Sequence, residues 1–295
     1  MRFLVIIPAH NEEASIGLTL KSLLQQEYQD FKVIVVDDGS SDRTKDIAST
    51  FINLFADLKI ISLPPSKHSP GAKVVDAFNK GLEEVNLSEF DIICKFDADI
   101  IFPNDYLSRI ASMYQANSKL GIASGLVYIT KRDFDQEKAF DFSQEQKELW
   151  SFENISSKRH VRGPIKSYRR ECFEEMDGLR SVLGWDNIDV LLSRMHNWEI
   201  DTDKELWVKH LRPTANKYRN EKAKKLGFYF YNIGLDFPLT VISALKAAYK
   251  GRSISDFFIT IKSFLKCNHP RVLTANEMKF IRNFRWNEMQ KSLFK

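Results

Sequence analysis

A chain of 295 residues is long enough for one large domain or two modest ones around a well-buried core. Its 43% hydrophobic and 28% charged residues are those of an ordinary globular protein and exclude disorder, collagen-like repeats and coiled coil. The net charge of +4 is unevenly spread: from Lys217 onward 16 Lys and Arg face five Asp and Glu, an excess of +11 that leaves −7 on residues 1–216.

The first hundred residues alternate between two periodicities. Short apolar runs at Phe3–Ile7, Phe31–Val36, Leu58–Leu63 and Asp91–Phe96 predict buried parallel strands. Between them Ile16, Leu20, Leu23 and Leu24, then Ile47, Phe51, Leu54 and Phe55, then Val74, Phe78, Leu82 and Val85 keep helical spacing. This β-α-β-α-β-α-β order predicts an α/β fold: a doubly wound, mainly parallel sheet that takes ligands beyond the carboxyl ends of its strands. Three acid-bearing loops belong at that edge, Pro8–Glu13, Asp37–Asp42 and Asp97–Asp99.

Further along, Gly121–Ile129 reads as a strand, and a polar and aromatic stretch to about Arg162 reads as helix and loop. Gly163 to Tyr168 is strand-like, Arg169–Met176 helical, and Ile188, Leu191, Leu192 and Met195 mark a helix that begins near Trp185-Asp186-Asn187. A short strand pattern precedes His210, and from Lys217 the pattern is mainly helical. The expected division is therefore a domain over 1–216, with halves at about 1–100 and 101–216, and a basic helical extension over 217–295.

Cys94, Cys172 and Cys267 show no CxxC spacing, so neither a disulfide framework nor a cysteine-based zinc site is expected, and a reducing cytoplasm is the simplest setting. The apolar start Phe3–Pro8 is too short for a signal peptide. The late apolar region Phe237–Tyr249, interrupted by Lys246, falls short of the roughly 20 residues a membrane span needs, but suits a helix lying in a membrane interface. The tail's charge asks for an anionic partner, nucleic acid or a membrane face.

The densest chemical signal is Lys95-Phe96-Asp97-Ala98-Asp99 at a strand end. Two carboxylates one residue apart can hold a hard divalent cation together with diphosphate oxygens, though an isolated DxD is commonly only a turn. Here it is joined by Ile6-Ile7-Pro8-Ala9-His10-Asn11-Glu12-Glu13 and by Val35-Val36-Asp37-Asp38-Gly39-Ser40-Ser41-Asp42-Arg43-Thr44. In that order the three segments closely resemble the family 2 glycosyltransferases of the GT-A fold. Arg169–Phe173, Asp177-Gly178-Leu179 and Gly184–Asp189 extend the resemblance to about residue 215.

The resemblance implies a metal-dependent, inverting transfer of a sugar from a nucleoside diphosphate to an acceptor hydroxyl of a saccharide or a lipid-linked molecule, in cell-surface polysaccharide or glycolipid synthesis. It puts Pro8, Ala9 and Glu12 around the base and ribose, Asp38 on the base imide, Lys73 on the diphosphate, Asp97 on the sugar or ribose, and Asp99 on a divalent cation, Mg²⁺ or Mn²⁺, completed by His210 with Arg212 beside the diphosphate. The general base is expected from an acidic pair at the start of the helix near Trp185. There this sequence departs from the family pattern, with Asp186 and Asn187 where Glu and Asp commonly stand. An amide accepts no proton, so Asp186 is the expected base, with Asp189 one turn further on as the alternative or as its support. On this reading the tail meets an anionic membrane from the cytoplasmic side and has no nucleic-acid role. A sugar-1-phosphate nucleotidyltransferase and an NAD enzyme are disfavoured because no Gly-rich signature follows the first strand. A non-catalytic nucleotide-sugar-binding partner protein is favoured only by Asn187.

Overall fold

The computed structural model describes residues 1–65, 71–130, 138–154, 157–158, 160–212 and 219–293. The four expected strands form β1 (Phe3–Ala9), β2 (Phe31–Asp38), β3 (Leu58–Leu63) and β4 (Ile92–Phe96), parallel and in the order β3-β2-β1-β4. All seven residues of β1 are buried, as a strand covered on both faces requires. Helices α1 (Ile16–Leu24), α2 (Thr44–Ser49) and α3 (Ala72–Leu82) connect them. Helix α2 is shorter than its apolar spacing predicts: the Ser49 and Thr50 hydroxyls bond back to the carbonyls of Lys45 and Ile47, competing with further helix. Phe55 still packs on Phe31, ring centroids 6.3 Å apart.

The sheet then becomes mixed, although β6 and β9 pair parallel. Its order continues through β8 (Ile165–Arg169), β6 (Leu120–Ile129), β9 (Glu199–His210) and β5 (Ile100–Ile101), with β7 (Ser151–Phe152) attached to β6. Strand β8 runs antiparallel to both β4 and β6, pairing Cys94 with Ser167 and Ile122 with Tyr168. Helices α4 (Tyr106–Ala116), α5 (Gln144–Leu149), α6 (Arg170–Glu175) and α7 (Trp185–Met195) complete this half.

The alternation of β1 sorts its side chains between two cores. Phe3, Val5 and Ile7 join Ile16, Leu20, Tyr106 and Ile110 under α1 and α4. Leu4 and Ile6 join Phe78, Ile188 and Leu192 under α3 and α7. The C-terminal helices α8 (Arg219–Asn232), α9 (Phe237–Gly251), α10 (Ile254–Leu265) and α11 (Ala275–Leu293) pack on this second side. They add Phe230, Ile233, Leu239, Phe264 and Ile281 to the same core. The boundary expected at 216/217 lies outside the described residues. No helix among the described residues is long and apolar enough to cross a membrane.

Candidate active site

The register of β1 and β2 pairs Ala9 with Asp37, so the loops leaving both strands start side by side. They are laced together. The Asn11 amide donates to the Ser40 hydroxyl at 3.0 Å, the Ser41 amide to the Asn11 side chain at 2.8 Å, and the Glu12 amide to Thr44 Oγ1 at 2.6 Å. Asp42 accepts from the amides of Glu13 and Thr44. Much of the two motifs is therefore bracing that leaves Pro8, Ala9, Glu12 and Asp38 facing one cavity.

That cavity, of about 310 Å³, is lined by Pro8, Ala9, His10, Glu12, Asp38, Lys73, Asp97, Asp99 and Arg212 among others. The three acid-bearing loops do meet at one edge. Lys73 Nζ lies 3.1 Å from Asp38 Oδ2, so the proposed phosphate cation and the proposed base acceptor form an ion pair. His10, which the sequence leaves without a supporting constellation, also belongs here, its Nδ1 donating to the Asp38 carbonyl at 2.7 Å. Ser69 and Pro70, from the loop before Lys73, lie outside the described residues.

The two-residue strand β5 brings Asp99 to His210. Ile100 pairs with His210, the last residue of β9, and the Leu211 amide donates to the Asp99 carbonyl at 2.9 Å. Asp99 Oδ2 then sits 3.4 Å from His210 Nε2, and Glu153 Oε2 3.4 Å from His210 Nδ1. Glu153 is itself held by Arg162 at 2.7 Å. Burial disfavours a charged imidazole, but hydrogen bonds and charge from Asp99 and Glu153 outweigh it and raise His210 to about 9. Burial pushes the Asp99 carboxyl up, while His210 and Arg212 more than reverse this and hold it below its usual range. Glu12, paired with Arg212, is raised by burial.

A carboxylate oxygen and an imidazole nitrogen, with a second carboxylate orienting the ring from behind, make a donor set that fits a divalent cation. No cluster of three or more His, Cys, Asp or Glu ligands exists among the described residues. Asp99 and His210 thus suit an ion that takes its remaining ligands from diphosphate and water. Glu153 and Arg162 were not anticipated, because they lie in the polar stretch before β8 where no periodicity marks them.

A second cavity, of about 760 Å³, opens alongside, lined by Lys95, Asp97, His160, Arg162, Trp185, Asp186 and Asn187 among others. Asp97, Gly71 and Val74 line both spaces. Gly71 makes the junction possible: at φ +77° it caps α3, and a Cβ there would lie 2.8 Å from the Leu183 Cα. Lys95 Nζ pairs with Asp97 and lies 5.1 Å from the Trp185 ring centroid.

The two candidate bases part company. Asp186 lines the second cavity in the first turn of α7, where the helix dipole favours a negative charge, and pairs with no cation of the described residues. Asp189, 1% exposed, lines neither cavity. It accepts from Lys166 Nζ at 2.6 and 2.7 Å and from the Tyr168 hydroxyl at 2.6 Å. Lys166 also donates to the Asp186 carbonyl at 2.6 Å, so Asp189 anchors the turn that presents Asp186. A carboxylate enclosed by a lysine and a tyrosine is placed to support Asp186, the second of the two parts expected of it.

Two adjoining polar cavities thus lie at the strand ends of an α/β sheet, where such folds place ligands. The family model "Glycosyl transferase family 2" matches residues 4–176, and the chain belongs to that family. It is 40% identical over 97 residues to the "Probable glycosyltransferase YdaM" of Bacillus subtilis, a match covering 32% of this chain and 22% of the relative. The chain matches less than half the length of such curated relatives. Among solved structures, S. aureus TarS 1-349 in complex with UDP-GlcNAc aligns over 90% of this chain and 81% of its own, with TM-score 0.58 and 18% identity. The mannosyltransferase PcManGT of Pyrobaculum calidifontis, in complex with GDP-Man and Mn²⁺, aligns over 98% of this chain and 75% of its own, with TM-score 0.53 and 18% identity. These likenesses establish the GT-A fold.

Proposed function

We propose that this chain is a metal-dependent, inverting glycosyltransferase that moves a sugar from a nucleoside diphosphate to the hydroxyl of a saccharide or lipid-linked acceptor. The observation that carries the reading is the sharing of Asp97, Gly71 and Val74 between two cavities, one bearing Asp38, Lys73 and Asp99 and the other Asp186. Two substrates placed in them meet at Asp97. The nucleotide-sugar complexes of TarS and PcManGT support the donor class, and the Mn²⁺ of PcManGT supports the cofactor.

In this reading Pro8, Ala9 and Glu12 flank the nucleoside and Asp38 accepts from the base, releasing Lys73 toward the diphosphate. Asp99 and His210 would hold a divalent cation, which would supply positive charge to the phosphate oxygens of the leaving group. Arg212, bonded to Asp99 and Glu12, is placed to take part of the same charge. The acceptor oxygen bonds to the anomeric carbon as its proton passes to the Asp186 carboxylate. The bond from that carbon to the diphosphate oxygen breaks, and the nucleoside diphosphate leaves with the electron pair. Attack from the face opposite the leaving group inverts the anomeric centre. The setting is the cytoplasm, where Cys94, Cys172 and Cys267 stay reduced.

A panel of UDP- and GDP-sugars, each with and without Mn²⁺ or Mg²⁺, tests this through thermal stabilisation of the protein. At least one donor is expected to raise the melting temperature with metal and much less with a chelator. Absence of stabilisation by every nucleoside diphosphate sugar under both conditions contradicts the reading.

A further inference from the structure

Helices α9 and α10 form a hairpin in the middle of the basic tail, between α8 and α11. Asp236 caps α9 by accepting from the Leu239 amide at 3.0 Å, and Arg252 reverses the chain in the left-handed region at φ +50°. Ser253 then caps α10. The hairpin packs through Leu239, Thr240, Ala244 and Ala248 on one helix and Thr260, Ser263 and Phe264 on the other. Its opposite side is apolar as well. Ile242, Leu245 and Tyr249 recur at i, i+3 and i+7 along α9, and Ile254, Phe258 and Leu265 at i, i+4 and i+11 along α10. All six are exposed, Tyr249 by 88%, Ile254 by 68% and Phe258 and Leu265 by 64% each.

Such a concentration of bare apolar side chains on two neighbouring helices marks an interaction surface. Its charge says which kind. Lys246, Lys250, Arg252, Lys262 and Lys266 are exposed between the apolar residues, none in an ion pair with a described residue, against the single acid Asp256. We infer that the exposed face of α9 and α10 docks in the plane of an anionic lipid bilayer, its apolar ridges entering the headgroup boundary and its five cations meeting lipid phosphates. This deepens the proposed function by naming where a lipid-linked acceptor is met, and it stands on the hairpin's own chemistry whether or not that function holds.

A second copy of the chain is a poorer occupant. A two-fold dimer would set the same cationic face against itself, and lysine is depleted from interface cores. A neighbouring cavity of about 520 Å³ lies between α8, α9 and α10, walled by Leu226, Ala244, Ala247 and Ala248, with exposed Lys222 and Lys250 and the acid Asp256 also in its lining.

Cosedimentation of the full chain with phosphatidylglycerol–phosphatidylcholine vesicles, and with phosphatidylcholine vesicles alone, tests the inference at low and high salt. Binding is expected to the anionic vesicles at low salt and to weaken at high salt. Each charge removed lowers the partition about fivefold, so Lys250→Glu with Arg252→Glu lowers it by roughly 25-fold or more. Tyr249→Ser with Phe258→Ser is expected to abolish binding that survives moderate salt. All four positions are exposed and outside both active-site cavities, so thermal stabilisation by a donor is expected unchanged in these variants, which keeps loss of docking distinct from loss of donor binding. Equal binding to neutral and anionic vesicles, or variants that bind like the parent, overturns the inference. So does a parent that binds no vesicle and sediments as a dimer dissociated by Tyr249→Ser and Phe258→Ser.

Discussion

At Asp186 and Asp189 the same side chain, three positions apart on one helix, meets opposite environments. Asp189 is neutralised by a lysine that is itself fully buried, so removing its charge strands that lysine. Breaking such a pair costs about 3–5 kcal/mol. Asp189→Asn is therefore expected to show a lower urea midpoint, with lost activity following from lost fold. Asp186→Asn is expected to keep the parent midpoint and donor stabilisation while turnover falls by roughly a hundredfold or more. A stable Asp189→Asn enzyme without turnover, beside a fully active Asp186→Asn, reverses the assignment. The sequence separates the two by family position and by distance from the helix start, not by environment. What separates them in the fold is Lys166, a strand residue 23 positions away from Asp189 whose partner no local pattern announces.

Among elements, the legible ones were those rich in Val, Ile, Leu and Phe over five or more residues. Strands β1, β2 and β4 announce themselves so and are largely buried, while the edge strand β3, none of whose residues is fully buried, shows by the same composition despite Lys59 and Ser62. Strand β9 shows only its last residues, because Glu199–Glu205 is largely exposed and polar, and its pairing with β6 shifts register twice. Strand β8 was visible, but its direction was not: orientation depends on what joins two strands, and the polar stretch before it carries no periodicity that announces a crossover. Helix α3 shows how an element fixes the site. Gly71→Ala puts an L-residue at φ +77° and a methyl group against the Leu183 backbone. The left-handed conformation alone costs roughly 1–2 kcal/mol, and the clash must push the α3 start away from the loop before α7. The variant is expected to melt several degrees lower and to bind donor more weakly, because Lys73 and Val74 move with the helix. Parental melting and donor affinity in Gly71→Ala would show that the junction tolerates displacement.

At the scale of the whole molecule, the division between a catalytic part and a tail is clearer in the charge than in the packing. Phe230, Ile233, Leu239, Phe264 and Ile281 from the C-terminal helices share a core with Leu4, Ile6, Phe78 and Ile188. Tyr229 closes on Gly184, where a Cβ would lie 2.6 Å from its ring, and the Asn232 amide donates to the Leu183 carbonyl at 3.0 Å. The tail thereby supports the turn that carries Asp186. Cutting the chain after residue 212 would expose this core face and remove the backing of α7. At about 25 cal/mol per Å² of apolar area, a handful of such side chains equals a large part of a domain's net stability. The truncated chain is accordingly expected to be insoluble or molten, with near-ultraviolet circular dichroism lost and dye binding gained. The full chain is expected to unfold in urea in one transition, with the five tryptophans and the backbone signal reporting the same midpoint. Two separated transitions, the first leaving donor stabilisation intact, would make the helices an independent unit docked on a self-sufficient transferase.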